Sequence, residues 1–311
     1  MSDAKSLTQP KRPVELEGVL PVHKPPGFTS HDVVAKVRRI LGMKRIGHTG
    51  TLDPQVTGVL PLCLGRATRI VEYIQELPKE YEAELTIGYS TDTEDWTGQE
   101  TNRAERVELE LPTLQRVLDG FLGEIEQVPP MYSAVRVDGK RLYELARQGQ
   151  EVERKPRLVR IYELELLEAK LDQPYPTVRI RVQCSKGTYI RTLCVDIGRA
   201  LGYPSVMSRL VRTSTGMIGL DRCLTLERIE QLYREGRLDE HLIPSDQALA
   251  HLPKVVVSST EALHASQGKS LPAHGRDVDG LARLYDPEGR FLGLFRQDPE
   301  QQRLRPEKVF V

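Results

Sequence analysis

Two stretches of this chain keep a strict two-residue alternation, and they constrain the fold more than anything else in it. Residues 81–89 set Tyr81, Ala83, Leu85, Ile87 and Tyr89 against polar partners, and residues 177–184 set Val178, Ile180, Val182 and Cys184 against Arg179, Arg181 and Gln183. That is the period of a half-buried strand. A further short strand is predicted over 17–22, ended by Pro25-Pro26-Gly27. After it, Thr29 or Ser30 caps a helix whose inner face carries Val33, Val34, Val37, Ile40 and Leu41. A second helix is expected from Thr113 to Phe121, and a third after Lys186-Gly187, with Ile190, Leu193, Ile197 and Leu201 turned inward. Strands dominate and do not alternate regularly with helices. The class is therefore α+β, a mixed and mainly antiparallel β-sheet flanked by helices and loops, rather than a doubly wound sheet.

The length of 311 residues allows one large domain or two unequal ones. Residues 1–14 read as a flexible N-terminal tail, residues 15–250 as the main domain, and residues 254–311 as a small β-rich domain set off by Pro244 and Pro253. Within 254–311, strands are expected at Lys254–Ser258, Leu281–Asp286, Arg290–Phe295 and Lys308–Val311, with a brief helix near Glu261–Gln267. Residues 128–157, from Pro129-Pro130 to Pro156, read as a long mobile insertion. No run of 18 apolar residues exists, so no membrane span is expected. Cys63, Cys184, Cys194 and Cys223 lack the C-x₂-C spacing of a zinc site and read as reduced, buried thiols of a cytoplasmic protein. Neither G-x-G-x-x-G nor G-x-x-x-x-G-K-S/T occurs, so no nucleotide cofactor is indicated.

Net charge is zero, yet its distribution is uneven. Residues 33–52 carry five basic groups and no acid; residues 140–160 carry seven basic groups against three acids; residues 79–111 carry three against ten. A neutral sum can conceal a basic face suited to nucleic acid.

Residues 47–58 read GHTGTLDPQVTG. Gly47, Gly50 and Gly58 let the backbone turn and approach a ligand, while Pro54 steers Asp53 toward an extended conformation. A loop of small residues with one carboxylate is a way to present that carboxylate to a substrate. The Asp-Pro dipeptide alone would be an ordinary turn, but its context is more specific. The blocks HKPPGFTS (23–30), GHTGTLDPQVTGVLPLCLGRATR (47–69), KEY (79–81), SKGTYIRTL (185–193) and SRLVRTSTG (208–216) follow in order. Together they resemble the TruB family of tRNA pseudouridine synthases, over residues 17–216, and the tail from 254 looks like the PUA-type RNA-binding domain of many members. The chain departs from the family's common pattern at His23, Val56, Arg69 and Ser205-Val206.

The resemblance implies an isomerase that turns a uridine of the tRNA T-loop, position 55, into pseudouridine, with no cofactor and no metal. It implies that Asp53 is the catalytic carboxylate, that Arg191 pairs with it, and that Tyr81 lies against the flipped base. Tyr189 is implied as a pocket residue, Leu210 as an apolar wall and His48 as the group that fills space vacated in the T-loop. Lys24 is expected to support the active-site wall. The insertion 128–157 is implied to clamp the RNA, with Arg141, Lys155 and Arg157 on its backbone. An arginine partner would favour the charged carboxylate, and aromatic stacking would recover part of the cost of extruding a base. tRNA is the expected partner, and a monomer is expected because no coiled-coil stripe stands out. Two further readings stay open: a non-catalytic tRNA-binding or folding protein, and a guide-RNA-dependent synthase.

Overall fold

The computed structural model describes residues 16–310 except 134, 138, 151, 274, 277 and 279. The tail expected over 1–14 lies outside the described residues. From the N-terminal side the chain runs through β1 (Gly18–Lys24), α1 (Ser30–Leu41), β2 (Ile46–His48), β3 (Thr57–Leu64), α2 (Val71–Glu76) and β4 (Lys79–Ile87). A hairpin of β5 (Tyr89–Thr91) and β6 (Glu100–Arg103) precedes α3 (Leu111–Asp119) and β7 (Gly123–Gln127). Next come β8 (Arg136–Val137), β9 (Lys140–Arg141), α4 (Leu142–Arg147), β10 (Arg157–Lys170) and β11 (Thr177–Cys184). Then follow α5 (Ile190–Leu201), β12 (Ser205–Thr215), β13 (Ile218–Gly219) and α6 (Leu226–Glu235). The C-terminal part holds β14 (Lys254–Val256), α7 (Ser259–Ser266), β15 (Leu271–Pro272), β16 (Leu281–Tyr285), β17 (Phe291–Asp298) and β18 (Arg303–Val309).

The main sheet has nine strands in the order β1-β3-β12-β4-β11-β10-β7, with β2 beside β3 and β13 beside β12. Every pairing in it is antiparallel except β3 with β12, as the expected mixed, mainly antiparallel class requires. Helices cover it in pairs. Leu114 and Leu118 of α3 and Ile190, Leu193 and Ile197 of α5 pack on Leu85, Ile87, Val178 and Ile180. Val33, Val34 and Val37 of α1 and Leu226, Ile229 and Leu232 of α6 pack on Leu20, Val22, Leu60 and Leu62. The start of α1 follows from its sequence. Thr29 Oγ1 accepts a hydrogen bond from the Asp32 amide at 3.0 Å, and the Thr29 amide donates to Asp32 Oδ2 at 2.9 Å, a reciprocal cap that satisfies two otherwise orphaned donors.

The second sheet has five strands, in the order β14-β16-β17-β18-β15. It does not stand apart. Phe310 and Leu294 share an apolar cluster with Val59, Ile70, Ile74 and Ile243 of the first unit, and the Phe310 carbonyl accepts a hydrogen bond from Arg66 Nη1. The segment 128–157 is more regular than expected: it contains the β8–β9 hairpin and α4, and Leu142 and Leu145 are buried. Alternation is too short there to be read as strand, and the hairpin is only two residues on each side. Strand β14 stops at Val256 because Ser258 caps α7, its Oγ accepting from the Glu261 amide at 3.4 Å. All four cysteines are free. Burial pushes the Cys184 thiol up to about 11 and the Cys63 and Cys223 thiols up to about 12, and raises that of Cys194 as well.

Candidate active site

The parallel step between β3 and β12 is where the candidate site lies. Four adjacent strands align Lys24, Gly58, Arg212 and Tyr81 in one row. Gly58, at φ +113°, has no room for a side chain: a Cβ there would stand 2.1 Å from the Arg212 carbonyl oxygen. The loop that enters β3 therefore closes directly onto the backbone of β12, and it carries Asp53.

The block 23–30 holds that loop. Lys24 is fully buried, and its Nζ donates to the carbonyls of Pro25 at 2.9 Å, Pro54 at 2.9 Å and Val56 at 2.8 Å. The Gly27 amide donates to the Pro54 carbonyl at 2.9 Å, and the Leu52 amide donates to Ser30 Oγ at 3.0 Å. Burial pulls the pKa of Lys24 down to about 8; Asp53 opposes this and Arg212 adds to it.

Asp53 is half-exposed, with 43% of its side chain open, and its Oδ2 lies 2.9 Å from Nε of Arg191, whose side chain is 6% exposed. Arg191 has little freedom. Its Nη1 donates to the Thr93 carbonyl at 3.0 Å and its Nη2 to the Tyr132 carbonyl at 2.8 Å. The guanidinium thus has one nitrogen for the carboxylate and two for backbone, a fork that fixes orientation as well as charge. Next to it, Thr192 Oγ1 donates to Glu94 Oε2 at 2.7 Å, and burial raises the pKa of Glu94 against the pull of that bond and of Arg191.

Leu52, Val56 and Leu210 are buried in one apolar cluster, against which Tyr81 packs. Burial raises the Tyr81 pKa, with Arg212 pulling the other way. Tyr189 precedes α5 by one residue. Its amide donates to Gln127 Oε1 at 3.0 Å and its carbonyl accepts from Gln127 Nε2 at 3.2 Å. His48 sits on β2, edge-on to His31 with 5.1 Å between ring centroids, and its Nδ1 lies 3.1 Å from the Gly50 carbonyl. Burial lowers its pKa.

Asp53, Arg191, Tyr81, Leu210 and Lys24 are thus brought together, with Tyr189 on the same helix start as Arg191 and His48 on the strand that leads into the loop. Arg141, Lys155 and Arg157 are not part of this cluster. Arg141 opens α4 and its Nη1 donates to the Tyr143 hydroxyl at 3.1 Å, while Lys155 and Arg157 are exposed near the start of β10. The same segment touches the site at its stem, through the Tyr132 carbonyl on Arg191. Sequence reasoning missed Gln127, Glu94 and Arg212. Arg212 falls on the buried phase of β12 with Leu210, but the bulges of that strand hide the phase in the sequence. Among the described residues, no group of three His, Cys, Asp or Glu side chains is placed to hold a metal ion.

A half-exposed carboxylate oriented by a buried guanidinium, on a loop anchored in an apolar cluster with an aromatic ring against it, can attack or deprotonate a bound ligand. Comparisons with known proteins place the chain in a family. Residues 38–190 match the model of the TruB family pseudouridylate synthase (N terminal domain). Residues 191–250 match the tRNA pseudouridylate synthase B C-terminal domain, and residues 253–310 match the model described as pseudouridine synthase II TruB, C-terminal. The chain is similar to the tRNA pseudouridine synthase B of Geobacillus thermodenitrificans, 50% identical over 306 residues, which are 95% of this chain and 100% of that one. Its counterpart in Bacillus subtilis is 45% identical over 304 residues, 95% of this chain and 98% of that one. Among solved structures, a chain of a Cbf5–Nop10–Gar1 complex superposes with a TM-score of 0.76 at 30% identity, over 97% of this chain and 88% of that one.

Proposed function

Because the chain belongs to the TruB family and is a tRNA pseudouridine synthase, we propose that it isomerises a uridine of the tRNA T-loop, at position 55, with Asp53 as the catalytic carboxylate. The observation that carries this reading is the ion pair of Asp53 with Arg191 at 2.9 Å, in a loop whose Leu52 and Val56 share an apolar cluster with Leu210 and Tyr81.

The reaction breaks the bond from C1′ to N1 and joins C1′ to C5 of the same base. C5 gives up its proton and N1 takes one, so nothing is oxidised and no group leaves. A carboxylate can divide this rearrangement into two easier steps, either by adding to the nucleoside or by removing a ribose proton. The target base lies inside a folded loop, so it must be extruded at a cost of a few kcal/mol. Tyr81 recovers part of that cost by stacking, Leu210 walls the base, Tyr189 lines the pocket and His48 occupies the space left behind. Lys24 supports the loop through its three carbonyl bonds.

Arg141, Lys155 and Arg157 on segment 128–157 contact phosphates, which carry no sequence information but fix register. The C-terminal sheet serves as a PUA-like RNA-binding domain. The protein acts as a monomer in the cytoplasm. The four free thiols suit a reducing compartment. Relatives 45–50% identical over nearly their whole length carry the name tRNA pseudouridine synthase B, which supports tRNA as the substrate.

The test compares Asp53→Asn with the wild type on an unmodified T-stem-loop, with no guide RNA and no added protein. Pseudouridine, read by chemical derivatisation, is expected from the wild type alone, and binding is expected from both. Equal turnover in the two proteins would remove Asp53 from the chemistry, and binding without turnover by the wild type would favour a non-catalytic RNA-binding protein.

A further inference from the structure

The row of Lys24, Gly58, Arg212 and Tyr81 holds a group that nothing described so far accounts for. Arg212 is 2% exposed. Its Nε donates to the Val59 carbonyl at 2.6 Å. Its Nη1 lies beneath Gly50, where a Cβ would stand 3.5 Å from it. Its Nη2 is buried and has no well-aligned hydrogen-bond partner, while the guanidinium stands close enough to the Tyr81 hydroxyl to favour its ionised form.

A buried guanidinium with an idle donor is expensive, and an apolar chain of similar volume would fill the same space at lower cost. Local packing rules broken in this way are expected at functional sites. The surroundings say what that function is. Gly50 and Val59 bracket the Asp53 loop, and Arg212 reaches both from one side chain. Gly58, between them, presses on the Arg212 backbone itself. On the next strand Tyr81 is the direct register partner of Arg212. The charge of Arg212 also reaches Lys24, His48 and Tyr81, lowering the pKa of each.

We propose that Arg212 is a positioning residue for pseudouridine formation: from beneath the loop it sets Asp53 and Tyr81 relative to one another, so that the carboxylate meets the extruded nucleoside in register with the stacked base. This rests on the proposed function of the site. Arg212 touches no substrate and transfers no proton; it acts through the loop and the ring.

The experiment uses the full chain and an unmodified tRNA transcript, with Arg212→Lys and Arg212→Met. Lysine keeps the charge and can still reach the Val59 carbonyl, but it lacks the planar fork that spans the loop. The single-turnover rate of Arg212→Lys is expected to fall about tenfold to a hundredfold, the scale of a 1 Å misplacement, with tRNA affinity and melting temperature unchanged. Arg212→Met should be slower still. If Arg212→Met does not fold, Arg212→Lys carries the comparison. Turnover of Arg212→Lys at the wild-type rate would overturn the proposal, and so would a rate loss matched by an equal loss of thermal stability, which marks a merely structural role. Asp53→Asn run alongside separates the two ideas: if it reacts like the wild type, the reading of the site is at fault and not the role of Arg212 alone.

Discussion

At the scale of single residues, the site is a set of charges whose positions are fixed by backbone. Arg191 spends two nitrogens on the Thr93 and Tyr132 carbonyls and keeps Nε for Asp53. Arg191→Lys cannot reproduce that fork, so pseudouridine formation should fall about a hundredfold or more, measured as a single-turnover rate with enzyme in excess over tRNA. Lys24 makes a prediction in pH. Three bonds to carbonyls need the protonated amine, and burial holds its pKa down to about 8. The rate should therefore decline as pH rises through about 8. Stability runs the other way. The unfolded lysine keeps its ordinary value of 10.5, so between about 8 and 10.5 the unfolded chain binds more protons, and this group alone makes stability rise with pH. Comparing the wild type with Lys24→Met in both assays isolates the two trends. A rate that stays level from about pH 7 to about pH 9 would leave Lys24 without a part in holding the loop.

At the scale of elements, the junction of β3 with β12 is the least forgiving part of the sheet. Gly58→Ala must fit a Cβ 2.1 Å from the Arg212 carbonyl at a φ of +113°. A destabilisation of at least about 2 kcal/mol is expected in urea unfolding, and wild-type stability would mean that the strands part more easily than their register suggests. The segment 128–157 offers a milder prediction. Neutralising Lys155 and Arg157 should weaken tRNA binding and lower the log–log salt slope by about one for each phosphate no longer neutralised; an unchanged slope would take both residues off the RNA. These elements also mark how far the sequence can be read. The alternation of Tyr81, Ala83, Leu85 and Ile87 led to β4 because each step of that strand is regular. The alternation in β12 is interrupted by register shifts between Met207 and Arg209 and between Arg212 and Ser214, so its period is lost to a reader. Asp53, Tyr81 and Arg191 were legible through the family resemblance. Gln127 was not, since its partner Tyr189 is 62 residues away and no local pattern carries a contact of that range. The helix α6, with Leu226, Ile229 and Leu232 inward, Thr225 before it and Gly236 after it, had its signals in plain view and was passed over.

At the scale of the whole molecule, the two sheets are packed against one another. Phe310 and Leu294 enter a cluster built on Ile70 and Ile74, Lys308 pairs with Glu72 at 2.9 Å, and Arg283 donates to the Leu252 and Asp246 carbonyls of the connecting segment. Phe310→Ala should cost about 3 kcal/mol and split a single calorimetric transition into two; one undivided transition at a lower temperature would mean that the remaining contacts suffice to couple the sheets. The four cysteines lie within this body, each with its thiol held well above the ordinary value by burial. Few thiolates are present near neutral pH, so the native chain should be slow to take up a maleimide dye. A cysteine introduced at an exposed position of the 128–157 segment would then be labelled almost alone, and its fluorescence could follow that segment as RNA arrives, with no prior removal of the natural sulfurs.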